Sequence, residues 1–266
     1  MKRELALIGY GEAGQTFARA AAWGESAGGY DLLPERRAAM AGDGIYAARD
    51  AAGALAGAPL VLSLVTADQA LPAAVDYARH LAPNAIWCDF NSVSPLTKLN
   101  AGRAVIAAGG RYVDVAVMAP VEPGRLAVPL LLAGSDAAEA ETALRALGFT
   151  NLSIIGDEPC KATAVKMIRS VMVKGIEALT DEMMAAAASA GVVDEVLASL
   201  DASDVTRPWT DRAAYNLERM ATHGLRRAAE MEESVKTLQS LGVEPLMTRS
   251  TVLRQRAAAV KKDQAA

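Results

Sequence analysis

The stretch "ELALIGYGEAGQTFARAAAW", residues 4–23, decides the fold. Residues 4–10 form a short, nearly unbroken apolar run, the pattern of a strand buried on both faces. From Ala13 to Trp23 the apolar residues recur at helical spacing instead. Between the two stand Gly9, Gly11 and Gly14 in G-x-G-x-x-G spacing. Gly9 permits a tight turn, Gly11 lets the backbone approach a pyrophosphate, and Gly14 lets helix and strand pack closely. The helix N-terminus that follows favours an anion. A lone glycine motif carries little. This one has a strand before it, a helix after it and an acid at the right distance beyond. The residues expected to hold a dinucleotide are Gly9, Tyr10, Gly11, Glu12, Ala13 and Gly14.

The acid is Asp31, seventeen residues past Gly14 at the end of "GYDLL" (29–33), which reads as a short strand. A carboxylate there can accept the ribose 2′-hydroxyl and repels a 2′-phosphate, which favours NAD. Arg36 and Arg37 follow closely and keep NADP open, although their simpler reading is a solvated helix start. Replacing Asp31 by Ser or Arg is expected to move the preference toward NADP.

Outward from this unit the first half of the chain alternates. Strand-like runs stand at 58–65, 84–90, 111–118, 128–134 and 151–156, and helical patterns at 70–81, 95–109 and 136–148. Such alternation predicts βαβ units and a mostly parallel sheet. Val65 and Thr66, in the loop after the run at 58–65, are expected near the cofactor. After Asp157 the strand signals stop. One long helix fits 159–190, and further helices fit 194–201, 209–224, 225–242 and 247–262. The expected organisation is an N-terminal Rossmann-type domain over 1–157 and an all-α domain over 158–266.

Composition narrows the class. The 266 residues are 52% hydrophobic and 22% charged, enough apolar surface for a substantial core. A net charge of −4 and no basic run beyond "RR" or "KK" give no nucleic-acid footprint. No apolar run approaches the ~18 residues of a membrane span, and the N-terminal run stops too soon for a secretory leader. Cys88 and Cys160 are the only cysteines, a usage that fits a reducing compartment. A cytoplasmic protein is expected, with no membrane or nucleic-acid partner. No H-e-x-x-H, C-x-x-C or carboxylate cluster suggests a metal, and no G-x-S-x-G or Cys–His pattern suggests a hydrolase.

Together with the glycine turn, three further segments resemble the β-hydroxyacid dehydrogenase family, which includes 3-hydroxyisobutyrate and 6-phosphogluconate dehydrogenases. "DFNSVSP" (89–95) resembles the family's substrate-binding D-x-S-T-x-x-P. "YVDVAVMAP" (112–120) is similar to its F-x-D-A-P-V-S-G-G, and "AVKMIRS" (164–170) to its catalytic K-x-x-N-N. The helical remainder, with "GLRRAAEMEE" (224–233), resembles a poorly characterised branch of the same superfamily whose C-terminal domain has no assigned function. The resemblance implies an NAD(P)-dependent oxidoreductase acting on a hydroxyacid or carbonyl substrate, and a homodimer built through the helical domain. It implies that Lys166 exchanges a proton with the substrate hydroxyl. It places Asn91, Ser92, Val93, Met118, Arg169 and Ser170 around the substrate.

From periodicity alone Lys166 reads as a snorkelling lysine at the rim of a core helix. The acid/base role comes from the resemblance. Ser92 or Ser94 before Pro95 also reads as a simple helix N-cap. Lys161, Lys174 and Glu177 read as solvated positions of the long helix. His80 reads as exposed, and His223 as lying at a helix end before Gly224. Two departures bear on the substrate. Met118-Ala119-Pro120 replaces Ser-Gly-Gly, which removes an amide-rich anion cradle, since Pro120 has no N–H. Arg169 and Ser170 replace the asparagine pair, and Arg169 could grip a substrate carboxylate or phosphate or equally form a structural ion pair with Asp or Glu. Two other readings stay open: an imine reductase of the same architecture, and a dinucleotide-binding sensor without turnover.

Overall fold

The strand at residues 5–8 is an interior strand of the sheet, with a parallel neighbour on each side. The computed structural model describes residues 3–202, 208–240 and 245–263. In chain order the elements are β1 (Leu5–Ile8), α1 (Glu12–Ala21), β2 (Ala27–Tyr30), α2 (Pro34–Gly42), β3 (Tyr46–Ala47), α3 (Ala51–Leu55), β4 (Leu60–Ser63), α4 (Ala70–Tyr77), β5 (Ile86–Asp89), α5 (Pro95–Ala107), β6 (Arg111–Val117), β7 (Leu130–Ala133), α6 (Ala137–Ala146), β8 (Leu152–Ile154), α7 (Lys161–Ala190), α8 (Val193–Asp201), α9 (Trp209–Ser240) and α10 (Leu246–Asp263). Two compact units result, Met1–Lys166 and Met167–Ala266, and the division falls inside α7.

In the first unit eight strands form one sheet in the order β3-β2-β1-β4-β5-β6-β7-β8. All pairs are parallel except β6 with β7. Parallel neighbours need a long crossover, and helices supply it elsewhere. Between β6 and β7 there is only a short 3-10 turn at Arg125–Ala127, so the chain returns antiparallel. Side chains alternate across the sheet. Leu5, Leu7, Phe17 and Phe149 share one buried cluster, whereas Ala6, Ile8, Val61 and Trp87 share a second. Phe17 and Phe149 meet edge to face at 5.0 Å. Small alanines of α3, α4 and α5 let helices lie close on the second side.

Several expectations need correction. The second strand is Ala27–Tyr30, so Asp31 stands just past its end rather than inside it. Helix α2 starts at Pro34, just ahead of the helix start expected at Arg36 and Arg37, and α3 stands where no element was expected, its start capped by the Asp50 carboxylate through Gly53 N–H. Residues 209–224 and 225–242 are not two helices, because α9 runs unbroken through Gly224. A Cβ at Gly224 would strike the Gln255 carbonyl of α10, so this glycine serves close helix approach, not termination. His223 therefore lies mid-helix.

Lys174 and Glu177 are buried, not solvated. In the second unit the Lys174 ammonium meets Glu230 at 2.5 Å, and Glu177 accepts from Arg227 at 2.5 Å and from Gln255 at 3.2 Å. No helix among the described residues is long and apolar enough to cross a membrane.

Candidate active site at the carboxyl ends of the strands

From β1 the chain moves outward through β2 and β3, then returns past β1 to β4 and continues the other way. Where strand order reverses, the loops after neighbouring strands part and leave a crevice at their carboxyl ends. Three loops meet there: the glycine turn after β1, Leu64–Thr66 after β4, and Phe90–Ser94 after β5. Backbone bonds continue the ladders into them, from Leu64 N–H to Ile8 O at 2.7 Å and from Phe90 N–H to Ser63 O at 3.0 Å.

Each glycine of the turn has its own reason. Gly9 has φ +93°, and a Cβ on it would lie 2.5 Å from the Leu64 carbonyl oxygen. A Cβ on Gly14 would lie 3.0 Å from Gly9 O, which is the close helix–strand contact. A Cβ on Gly11 would meet nothing within 4 Å. Gly11 caps α1 without any side-chain bond to the helix start, and Glu12 and Ala13 follow in its first turn. This combination fits a dinucleotide: open space over Gly11 and a helix N-terminus behind it.

Tyr10 faces inward and is fully buried. Its N–H donates to Asp31 Oδ2 at 2.7 Å, its carbonyl accepts from Gln15 Nε2 at 3.0 Å, and its hydroxyl donates to Asp43 at 2.9 Å. Burial, then the Asp43 bond, holds the Tyr10 hydroxyl well above the usual phenol range. Burial pushes Asp43 upward, but the bonds from Arg19 and Tyr10 outweigh it and hold that carboxyl below its ordinary value. Asp31 braces the turn as well as facing it, because its other oxygen accepts Leu33 N–H at 2.9 Å. Arg37 does not reach past this loop; its guanidinium donates to the carbonyls of Asp31 at 2.6 Å and Leu32 at 3.0 Å.

On the other side of the crevice the Asn91 amide is committed within the protein. Its Oδ1 accepts Val65 N–H at 2.8 Å, its Nδ2 donates to Ser63 Oγ at 3.0 Å, and Asn91 N–H donates to Asp89 at 2.9 Å. Asn91 thus ties the loop of Val65 and Thr66 to the loop of Ser92 and Val93. Lys166, in the second turn of α7, donates a short hydrogen bond to Ser92 Oγ. Ser94 caps α5 through Thr97 N–H at 3.1 Å, with Pro95 first in the helix.

Beneath this loop lies a group that the sequence reading did not single out. Lys98 is 0% exposed. Its ammonium donates to Asp114 at 2.7 Å, to the Asp89 carbonyl at 2.6 Å and to the Val115 carbonyl at 3.0 Å. Asp89 also accepts from the Tyr112 hydroxyl at 2.7 Å. Burial pushes the lysine down, but Asp114 and Asp89 more than offset it and keep the ammonium above the usual lysine value. Burial pushes Asp89 up against the pull of Lys98. The available signal was an acid inside each of two apolar strand runs, at 89 and 114. Nothing in the spacing marked Lys98 as its partner.

The first unit therefore brings together the glycine turn, Val65, Asn91, Ser92 and Lys166. Val93 is buried beside them. Met118, at the end of β6, packs on the small cluster of Ala116, Ala133 and Ala162. Arg169 and Ser170 belong to the second unit.

Residues 4–153 match the family described as the NAD binding domain of 6-phosphogluconate dehydrogenase, and residues 187–258 match a domain of unknown function, DUF1932. A solved conserved hypothetical protein from Sinorhizobium meliloti 1021 is 39% identical, over 100% of this chain and 92% of its own, with a TM-score of 0.77. The solved conserved protein MTH1747, of unknown function and described as structurally similar to 3-hydroxyacid dehydrogenases, is 28% identical over 98% of this chain and 99% of its own, with a TM-score of 0.75. An uncharacterized 28.5 kDa protein of Methanothermus fervidus is 27% identical over 192 residues, 72% of either chain. A 3-hydroxyisobutyrate dehydrogenase from Salmonella typhimurium (20% identical, TM-score 0.76, 97% and 95% of the two chains) and an imine reductase from Myxococcus stipitatus (18%, 0.64, 98% and 95%) share the fold.

Proposed function

Because the chain belongs to the family of the NAD binding domain of 6-phosphogluconate dehydrogenase, we propose that it is an NAD(P)-dependent oxidoreductase moving a hydride to or from the carbinol carbon of a 3-hydroxyacid-like substrate. The observation that carries this reading is the hydrogen bond between Lys166 and Ser92, one loop away from the glycine turn. Gly9, Gly11, Gly14 and the first turn of α1, with Glu12 and Ala13, hold the pyrophosphate. Asp31 accepts a ribose hydroxyl with its remaining lone pairs, which favours NAD. Val65 and Thr66 border the nicotinamide side. When bound, the nicotinamide accepts or donates the hydride.

The protein's own part is proton handling and orientation. Ser92 Oγ holds the substrate hydroxyl. The neutral Lys166 amine takes that hydroxyl's proton and becomes an ammonium as the C–H bond breaks. In the reverse direction the ammonium returns the proton to the carbonyl oxygen, as a general acid. Tyr10 and Asn91 act through other residues, Tyr10 on the turn and Asn91 on the Val65 loop. Exposed Ile168, Met172, Ile176 and Leu179 on α7 support self-association through the helical unit.

The test is an activity screen with NAD and NADP over hydroxyacids and sugar acids, on wild type and Lys166→Ala. A loss of about 10²-fold or more in the variant is the expected result. Full activity in Lys166→Ala would remove the lysine from the mechanism. A second reading, an imine reductase, is favoured by Met118 and Pro120, which offer apolar surface and no amide cradle. Reduction of a cyclic imine by Lys166→Ala would select it.

A further inference from the structure

The Lys98 network takes no part in hydride or proton transfer, yet its bonds end beside Ser92 and one turn before Lys166. We propose that Lys98, Asp114 and Thr163 are positioning residues that set the Lys166 amine against the Ser92 hydroxyl. The proposal rests on the reading of that pair as the reacting end of the site.

Lysine is almost never fully buried unless it is paired. An apolar side chain would fill the same place, and a buried ion pair often adds no more stability than its apolar replacement. The geometry gives the ion a different use. One acceptor of Lys98 is the Asp89 carbonyl, at the last residue before the loop of Asn91 and Ser92. Another is Asp114 Oδ1, whose partner oxygen Oδ2 accepts Thr163 N–H at 2.8 Å.

Thr163 is the third residue of α7. The residue before that helix is Cys160, then Lys161 begins it; Cys160 has φ +65° and carries no oxygen to cap the helix. Asp114 therefore caps α7 from strand β6. A carboxylate is well placed at a helix N-terminus, and Lys98 supplies the cation that burial of this carboxylate demands. The Thr163 hydroxyl donates to the Val93 carbonyl at 2.9 Å, next to Ser92. The first turn of α7 is thus pinned both to β6 and to the Ser92 loop. Lys166 follows three residues after Thr163, on the same helix face. Where that turn is held decides where the amine arrives.

Thr163→Val tests this, because it removes one hydroxyl donor at nearly constant shape and leaves Lys98, Asp114 and the Thr163 N–H bond in place. Thr163→Ser is the conservative partner that keeps the donor. The first readout needs no substrate: pH-resolved competitive acylation of the full chain with NADH present, with Lys166 followed by peptide mass spectrometry. Thr163→Val is expected to change the Lys166 labelling rate at neutral pH by about 3-fold or more, half a unit of apparent pKa, and Thr163→Ser to restore it.

With an active substrate, kcat is expected to fall about 10-fold to 10²-fold with the nucleotide KM unchanged, as for a misplaced reacting group. Wild-type labelling in Thr163→Val overturns the proposal, all the more if melting temperature falls, since the network would then be structural only. If Lys166→Ala keeps full turnover, the acid/base reading fails while the labelling result still decides whether Thr163 positions the amine.

Discussion

Replacing Lys98 by Met isolates the energetic role of the buried cation. Met has nearly the reach of the lysine stem, so the cavity left behind is small and the change is chiefly electrostatic. Two buried carboxylates, Asp89 and Asp114, then face each other's surroundings without a counter-charge. Removing one partner of a buried pair costs about 3–5 kcal/mol, a figure that already contains the lost hydrogen bonds. The pH dependence has a definite sign. In wild type the Lys98 ammonium is held above its ordinary value, so its contribution is complete at neutral pH and is lost only as pH rises through that raised value.

In the variant Asp89 loses the cation that pulled its carboxyl down. Asp89, raised already by burial, rises further. An acid with a raised folded-state value binds more protons folded than unfolded, so stability falls as pH rises through the unfolded value near about 4 and is regained on acidification. The difference between wild type and Lys98→Met is therefore largest near pH 7.5 and smaller at pH 5. Urea unfolding at both pH values measures it, followed by tryptophan fluorescence, to which the buried Trp23 and Trp87 report for the first unit. A cost under about 1 kcal/mol at pH 7.5, or a cost that grows toward pH 5, would refute the charge argument.

The glycines make a contrasting pair. Gly9→Ala is expected to destabilise the fold by about 1–3 kcal/mol, from its positive φ and the Leu64 carbonyl. Gly11→Ala, with nothing within 4 Å of the added carbon, should leave the melting temperature unchanged but weaken NADH binding at least about 10-fold, where the pyrophosphate must approach the backbone; equal NADH affinities would contradict the placement. Tyr10→Phe is expected to cost about 1 kcal/mol at neutral pH. Because Asp43 is held below its ordinary value, the stability that its bonds supply is present above the usual carboxylate range and is lost as pH falls through the lowered value. The Tyr10→Phe penalty therefore shrinks in acid, and thermal melts of both proteins from pH 7 to pH 3 read it.

Much of the first unit was legible because local chemistry and global fold agree there. The glycine turn, its strand and its helix each follow from a few adjacent residues, and the apolar runs at 58–65, 84–90 and 111–118 each contain an observed strand. The rest depended on partners distant in sequence. Gly224 looks like a stop because glycine usually ends helices; only the approach of Gln255 explains it inside α9. Lys174 and Glu177 have the periodicity of solvated positions and are buried because Glu230 and Arg227 meet them from another helix.

Lys98 is the same case at the candidate site. A lysine in a helix of low amphipathic contrast carries no mark of burial, and its three acceptors come from β5 and β6. The motif around Asn91 points to a ligand and says nothing of its partners within the protein. Its amide bridges Ser63 and Val65, which no single segment could reveal.

Tyr10 has every polar group engaged: its N–H with Asp31, its carbonyl with Gln15, its hydroxyl with Asp43. A loop held at three points along one residue has little freedom left to lose when a nucleotide arrives. Its ordering entropy has been spent during folding, so cofactor capture resembles docking onto a rigid surface rather than closure around a guest. The association rate is then expected to be governed by diffusion and orientation.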